Sequence, residues 1–73
     1  MRLLSRNRLE PQALCQYTTS HGELVTMFKG TDDRYFTRVT IAREPQDAGV
    51  TDANARAIYE YAVDRGRVLG PWR

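Results

Sequence analysis

The stretch Thr51–Arg65, TDANARAIYEYAVDR, is typical of an amphipathic helix and is the strongest structural signal in the chain. Thr51 or Asp52 can cap its start, because a side-chain oxygen there accepts a hydrogen bond from the unpaired N–H groups of the first turn. Gly66 follows Arg65 and can end the helix by adopting the left-handed conformation without steric cost. The sequence therefore predicts a helix over residues 51–65.

The apolar residues of this stretch recur at spacings of three and four and predict one face directed at a core: Ala55, Ile58, Tyr61 and Ala62. Charged residues are expected on the opposite side: Arg56, Glu60 and Asp64. Tyr59 and Val63 either widen the buried face or form a second contact surface. The helix is thus expected to pack by one side against the rest of the chain.

Before the helix, strand-forming runs alternate with turn-forming residues. Runs 14–19 and 24–29 flank Ser20–Glu23, where Gly22 can take the positive φ of a hairpin turn. A second turn is predicted at Gly30–Asp33, because aspartate side chains can accept hydrogen bonds from nearby backbone N–H groups. This spacing predicts two neighbouring antiparallel strands.

Tyr35–Arg43, YFTRVTIAR, gives the clearest strand signal. Side chains alternate between the two sides of a strand, so Val39 and Ile41 are expected to face the helix. Phe36 and Arg38 then lie on the open side of the sheet. An aromatic ring beside an arginine on that side is either a solvated face or a docking surface.

Glu44–Val50, EPQDAGV, is predicted as the loop between sheet and helix, because it contains Pro45 and Gly49. The expected fold class is α+β, with a small antiparallel sheet of about three strands, one C-terminal helix packed on it, and flexible termini. A chain of 73 residues is expected to form one domain, because so short a chain seldom supports two cores. It divides into a basic arm (1–12), a core (13–66) and a tail (67–73).

Composition excludes several classes of protein. Cys15 is the only cysteine, which fits a reducing compartment and provides no disulfide framework. One cysteine and one histidine do not make a zinc site, and no cofactor is expected. The sequence has neither an apolar run of about 18 residues nor the features of a signal peptide. A cytoplasmic monomer that does not bind membranes is therefore expected.

The residues with catalytic potential do not form a recognisable set. Cys15 and His21 lie at the two ends of a predicted strand, roughly 20 Å apart along extended chain. Asp32 and Asp33 are adjacent in a predicted turn that has no phosphate-binding loop or complete calcium loop around it. The chain is therefore not expected to be an enzyme.

Arginine dominates the basic residues, with ten Arg and one Lys against nine acidic residues, for a net charge of +2. Arginine makes planar bidentate contacts with carboxylates or phosphates, although the codon bias of a GC-rich genome would produce the same excess. Arg2, Arg6 and Arg8 lie in the N-terminal arm, which either binds an acidic partner or is a frayed terminus.

Trp72 is the penultimate residue of this sequence and follows Gly70 and Pro71. A tryptophan in that position either tucks under the helix or stays available to anchor a partner, since tryptophan is a favoured hot-spot residue. Both possibilities are open from the sequence.

Two non-enzymatic functions remain. A nucleic-acid binder could use a basic arm and aromatic stacking on the sheet: Tyr17, Phe28, Phe36 and Arg38. The spread of acidic residues, including those at the ends of the third strand, argues against strong phosphate binding. A protein-binding module is therefore preferred, and its predicted contact residues are Arg2, Arg6, Arg8, Phe36, Arg38 and Trp72.

In length, arginine-rich composition and overall run of sequence, the whole chain resembles small phage-encoded host-takeover proteins that bind bacterial RNA polymerase. The resemblance carries no motif of defined spacing. It implies inhibition of host transcription initiation through contacts with the large polymerase subunits and interference with the sigma factor. It assigns no residue roles, so the contact residues above come from the chain itself.

Overall fold

A computed structural model describes residues 10–72, which contain five β-strands and one α-helix. The elements, in chain order, are β1 (Gln12–Thr18), β2 (Leu24–Lys29), β3 (Tyr35–Ile41), β4 (Glu44–Val50), α1 (Asp52–Arg65) and β5 (Arg67–Val68). The strands form one sheet in the order β4-β3-β2-β1-β5, and every neighbouring pair is antiparallel. The α+β class is confirmed, with five strands in place of about three.

Both predicted turns are present. Between β1 and β2, the N–H of Thr19 donates to the carbonyl of Glu23 at 2.9 Å, and Gly22 has a φ of +85°. Between β2 and β3, the N–H of Gly30 donates to the carbonyl of Arg34 at 2.7 Å, while Asp33 has a φ of +66°. Each connection is a three-residue loop that ends on a left-handed residue, a common hairpin geometry.

The prediction of a loop at Glu44–Val50 is wrong, because this segment pairs with β3 along its whole length. The chain reverses through Ala42 and Arg43, whose φ values of +53° and +70° make a two-residue turn matched to the twist of the strands. Pro45 is tolerated because proline can sit at an edge strand where its missing N–H would face solvent. Turn signals in sequence do not distinguish such an edge strand from a loop.

Helix α1 begins and ends where predicted, but its C-terminal cap has a different conformation. The Oγ1 of Thr51 accepts a hydrogen bond from the N–H of Asn54 at 3.2 Å, which is the expected N-cap. Gly66 is not left-handed, because its φ is −135°. Glycine fits there for another reason: a Cβ atom would overlap the carbonyl oxygen of Gln16 on β1. The helix therefore stops where the chain turns into β5 beside β1.

The core lies between α1 and one face of the sheet. Its buried residues are Leu14, Cys15, Met27, Tyr35, Ala55 and Ala62, and Val50, Ile58, Tyr59 and Trp72 pack against them. Ala55, Ile58 and Ala62 were predicted to face the core, and they do. Tyr61 was also predicted there, but it is 46 % exposed, and Tyr59 takes its place in the packing.

Ile41 lies on the same side of β3 as the buried Tyr35, as expected, but α1 does not cover it, since its side chain is 51 % exposed. Helix α1 starts two residues after Val50, which pairs with Tyr35 at the opposite end of β3 from Ile41. Val39 is half-buried. Burial along β3 therefore falls off toward the Ala42–Arg43 turn.

The C-terminal segment of the described chain is held against β1, so the expected flexible tail does not apply to residues 67–72. β5 pairs with β1, and the N–H groups of Leu69 and Gly70 both donate to the carbonyl of Leu14, at 2.8 and 3.1 Å. Leu14 is the extra residue of a bulge in β1. The hydroxyl of Tyr59 donates to the carbonyl of Gly70 at 2.8 Å and fixes the segment to α1.

Candidate protein-binding face

The face of the sheet opposite α1, which we term the open face, is not covered by any element among residues 10–72. Antiparallel register places its side chains in rows that run across the strands. The apolar row is Ala13, Phe28, Phe36 and Gly49, and the polar row is Arg67, Gln16, Thr26, Arg38 and Asp47. The two rows are adjacent, so an aromatic surface borders a charged one.

Phe28 and Phe36 form the centre of the apolar row. Their ring centroids are 5.1 Å apart and the rings are nearly parallel, at 11°. Both side chains are half-buried even though no described element packs over them. Gly49 follows Phe36 in the row and leaves open space, because a Cβ built there would have no atom within 4 Å. The row therefore ends in open space at the edge of the sheet, next to Phe36.

Arg38 is held in place by a carboxylate and two rings. Its Nε and Nη2 atoms donate to the two carboxylate oxygens of Asp47 at 2.7 and 2.9 Å, a bidentate pair. Its guanidinium carbon lies 5.2 Å from the ring centroid of Phe28 and 5.6 Å from that of Phe36. The hydrogen bonds from Arg38 lower the pKa of Asp47 below its ordinary value. The guanidinium is thus preorganised and its charge is locally neutralised.

The remaining polar groups of the open face lie toward β5. The side-chain nitrogen Nε2 of Gln16 donates to the hydroxyl oxygen of Thr26 at 3.1 Å. This leaves the side-chain oxygen Oε1 of Gln16 available as an acceptor. Arg67 lies next to Gln16 at the end of the row and is exposed, with no ion pair to any of residues 10–72. The polar row therefore offers one unpaired cation at its β5 end.

Two of the predicted contact residues, Phe36 and Arg38, lie together on the open face as expected. Asp47 was missed, because the segment that carries it was interpreted as a loop. Phe28 was placed correctly on this face, but Tyr17 was not. Tyr17 lies on the helix side, where it packs edge-on against Tyr61 at 5.4 Å.

Trp72 lies on the helix side of the sheet, away from Phe36 and Arg38. Its ring stacks on Tyr35 at a centroid distance of 5.0 Å and 5°, and it contacts Tyr59 at 5.4 Å. The guanidinium carbon of Arg56 lies 5.6 Å from its ring centroid. This is the tucked position that the sequence left open, and it separates Trp72 from the other predicted contact residues.

The predicted contacts at Arg2, Arg6 and Arg8 lie outside the described residues. Their charge still matters for the balance of the chain, because residues 10–72 contain seven basic and nine acidic residues. The positive net charge of the full sequence therefore comes from four arginines outside this range: Arg2, Arg6, Arg8 and Arg73.

Other chemical groups give no second site in the described part of the chain. Cys15 is buried in the core, and burial raises the pKa of its thiol. Residues 10–72 bring no three His, Cys, Asp or Glu side chains together in a way that could hold a metal ion. Over the same residues, no helix has the length and apolar character needed to cross a membrane.

Comparison with known proteins adds no assignment: no protein-family model, no curated protein and no solved structure matches this chain.

Proposed function

We propose that the chain is a protein-binding regulator of bacterial RNA polymerase, and that it binds through the open face of its sheet. The single observation that carries the protein-binding part is the Phe28–Phe36 stack with Arg38 laid across it. Aromatic rings and arginine are the residues enriched in the cores of protein interfaces.

The charge of the open face favours a protein partner over nucleic acid. Binding to a phosphate backbone depends on cations that are free to replace its counterions. On the open face, Arg38 is already paired with Asp47. The apolar and polar rows therefore contribute one unpaired cation, Arg67. The cations at the β2–β3 turn are also paired, Lys29 with Asp33 at 3.9 Å and Arg34 with Asp32 at 4.0 Å, so this turn adds no net positive charge. The surface is therefore suited to desolvation against a protein.

The rigidity of the Arg38 side chain also supports this function. Ordering a long side chain at an interface costs roughly 0.5–1.5 kcal/mol on binding. In this chain the bidentate bond to Asp47 and the two Phe rings have already fixed the guanidinium. A partner can pack over it without a further ordering cost.

The identity of the partner comes from the resemblance to phage-encoded host-takeover proteins. That resemblance favours the large subunits of RNA polymerase, with inhibition at initiation through interference with the sigma factor. Arg2, Arg6 and Arg8 are proposed to contact acidic patches on the polymerase as a separate, salt-sensitive part of the interface.

The test uses the full tagged chain to retain proteins from a bacterial lysate, with and without nuclease, and then measures its affinity for purified polymerase. We expect the large subunits to be retained after nuclease treatment. Phe36→Thr should weaken binding about 30-fold, the effect of losing a hot spot of about 2 kcal/mol. The matched control is Val63→Thr, which changes an exposed apolar residue on α1 and should bind as the unaltered chain does.

Two results would contradict the proposal. Equal polymerase affinity in Phe36→Thr and Val63→Thr would remove the open face from the interface. Loss of every retained protein on nuclease treatment, with tight and steeply salt-dependent binding to a labelled oligonucleotide, would favour a small nucleic-acid-binding domain instead. That alternative would use the same stacked rings as a platform for bases.

Transcription from a promoter in vitro tests whether the chain acts at the initiation or the elongation step of transcription. Inhibition should be strong when the chain is added before the holoenzyme meets the promoter, and weak when it is added after elongation has begun. Equal inhibition in both orders would contradict an action at initiation.

A further inference from the structure

The outer edge of β4 carries backbone hydrogen-bonding groups that no strand among residues 10–72 uses. β4 is the last strand of the sheet on that side, and its side chains are exposed except at Val50. An unpaired strand edge is a template for another strand. The turn that precedes β4 determines the direction in which each of its backbone groups points.

The two-residue turn at Ala42–Arg43 makes Ile41 and Glu44 the closing pair, which exchanges hydrogen bonds across the hairpin. Hydrogen-bonded and non-hydrogen-bonded pairs alternate from there. The β4 residues that bond inward to β3 are Glu44, Gln46, Ala48 and Val50, and those that point outward are Pro45, Asp47 and Gly49. Pro45 agrees with this assignment, because a residue that points outward donates no hydrogen bond to β3 and proline has no N–H.

The outer edge therefore offers two donors, the N–H groups of Asp47 and Gly49, and three acceptors, the carbonyls of Pro45, Asp47 and Gly49. These groups are spaced as in an antiparallel ladder and accept an extended strand, not a helix or a small molecule. The outward-pointing residues are also the ones whose side chains lie on the open face. An added strand would thus continue the apolar and polar rows of that face.

The side chains along the edge determine what such a strand should carry. Opposite Gly49, a large apolar side chain would fill the open space beside the Phe36 ring. Opposite Asp47, a basic side chain would meet a carboxylate whose remaining lone pairs can accept further hydrogen bonds. The segment around the edge is acidic, since residues 43–52 contain Glu44, Asp47 and Asp52 against Arg43 alone.

A second copy of this chain fits the edge poorly. Two copies of β4 can pair antiparallel around a two-fold axis centred on one residue. An axis at Asp47 would set two carboxylates opposite each other, which is destabilising. Pairing about Gln46 would bring Pro45, which has no N–H, into the ladder. Pairing about Ala48 would set Asp47 opposite Gly49 and complete the backbone ladder within β4, but it would bring together two copies of the same acidic segment. A second copy is therefore disfavoured by proline or by like charge in each of these registers.

We propose that the outer edge of β4 binds an extended segment of another protein, by strand addition, with a large apolar residue opposite Gly49 and a basic residue opposite Asp47. This goes beyond the proposed function, because backbone pairing at β4 requires neither RNA polymerase nor the Phe28–Phe36 stack. The two sites can therefore be tested separately.

The probe is the blocked peptide acetyl-Thr-Phe-Thr-Lys-Thr-amide, which in antiparallel register puts Phe opposite Gly49 and Lys opposite Asp47. NMR titration of the full chain should shift the amide signals of Asp47 and Gly49, and hydrogen exchange at these two amides should slow. The inward-bonded amides of Gln46 and Ala48 are already paired, so their exchange should change little. A peptide methylated on the backbone nitrogens of Phe and Lys should not bind, because it cannot donate hydrogen bonds to the carbonyls of Gly49 and Asp47.

Two substitutions at one position separate the backbone group from the side chain. Gly49→Pro removes the outward N–H without touching the bonds to β3, and should weaken peptide binding roughly threefold to tenfold, the effect of one hydrogen bond. Gly49→Ala keeps the N–H and should stay within about twofold of the unaltered chain. The proline variant must first give the same pattern of amide signals elsewhere in the sheet. Should it fail to fold, the methylated peptide on the unaltered chain gives the same test.

Three results would overturn the proposal. The first is equal binding of the methylated and unmethylated peptides. The second is the absence of any shift at Asp47 and Gly49. The third is hydrogen exchange at these two amides that is already slow without peptide and slows further as the protein concentration rises. That result would mean that the edge pairs with a second copy of the chain.

Discussion

The part of the sheet beneath α1 and the outer hairpin formed by β3 and β4 use the same antiparallel pairing but are stabilised differently. In β1 and β2, Leu14, Cys15 and Met27 are buried against the helix. In the outer hairpin, contact with the core cluster comes from Tyr35 and Val50 at its base, and the rest is held by backbone bonds and the Arg38–Asp47 pair. Apolar packing dominates the first region, and turn geometry with cross-strand pairing dominates the second.

This difference in stabilisation affects where a partner can bind. A strand fixed by packing on one face and by neighbours on both edges has little surface left for a partner. The outer hairpin exposes one strand edge, the Phe36 ring and a preorganised guanidinium, and Phe28 of β2 completes the aromatic stack. The region that contributes less to the core therefore supplies the free edge and half of the stack.

Matched aspartate substitutions give the largest expected contrast. Met27→Asp places an unpaired charge in the core at a cost of several kcal/mol, against a total stability of about 5 kcal/mol, so this variant should be unfolded. Ile41→Asp changes a half-exposed residue of the outer hairpin and should cost no more than about 1 kcal/mol. Thermal unfolding followed by circular dichroism measures both. A folded Met27→Asp variant would show that the core is assigned to the wrong face.

A matched pair of glycines gives an intermediate contrast. Gly66→Ala forces a Cβ against the carbonyl oxygen of Gln16, so α1 or β1 must shift at a cost of about 1–3 kcal/mol. Gly49→Ala adds a methyl group in open space on the outer hairpin and should change stability by no more than about 0.5 kcal/mol. Urea denaturation compares the two. Equal destabilisation would contradict the close approach of the helix end to β1.

The smallest expected effect is the pH dependence of the outer hairpin. Hydrogen bonds from Arg38 lower the pKa of Asp47 in the folded chain. A carboxyl group whose folded pKa is depressed contributes stability above its unfolded pKa and loses it as the pH falls through the folded value. The unaltered chain should therefore lose a little stability below about pH 4 that Asp47→Asn does not lose. The effect is small because the pair is exposed to solvent.

Urea denaturation from pH 7 down to pH 2 measures this difference. Glu44→Gln is the matched control, because Glu44 lies on the same strand and makes no ion pair with residues 10–72. Its curve should keep the acid-dependent loss that Asp47→Asn lacks. Identical pH dependence of Asp47→Asn and the unaltered chain would mean that the ion pair does not contribute to folding.

The sequence predicted the elements whose signals are local. Helix α1, its Thr51 cap and the turns at Gly22 and Gly30–Asp33 follow from residue spacing and from side chains that act on neighbouring backbone groups. Phe36 and Arg38 were assigned to the open side from strand alternation alone. These predictions require no knowledge of distant residues.

The rest depends on partners far away in the chain. β4 is a strand because β3 pairs with it through a turn of two non-glycine residues with positive φ, Ala42 and Arg43, which sequence rules disfavour. Asp47 becomes part of the candidate site only through that pairing. Gly66 looked like a left-handed cap, but the nearby carbonyl of Gln16 is what requires glycine there.

The stacking of Trp72 on Tyr35 gives the chain an optical reporter of one folding event. Trp72 is the only tryptophan, and its ring lies between elements that are far apart in sequence, with Tyr35 and Tyr59 as neighbours and Arg56 over its face. Its fluorescence therefore senses the docking of residues 67–72 onto β1 and α1, whereas far-ultraviolet circular dichroism senses the sheet and helix as a whole. Comparing the two signals during refolding separates closure of the C-terminal segment from formation of the domain beneath it.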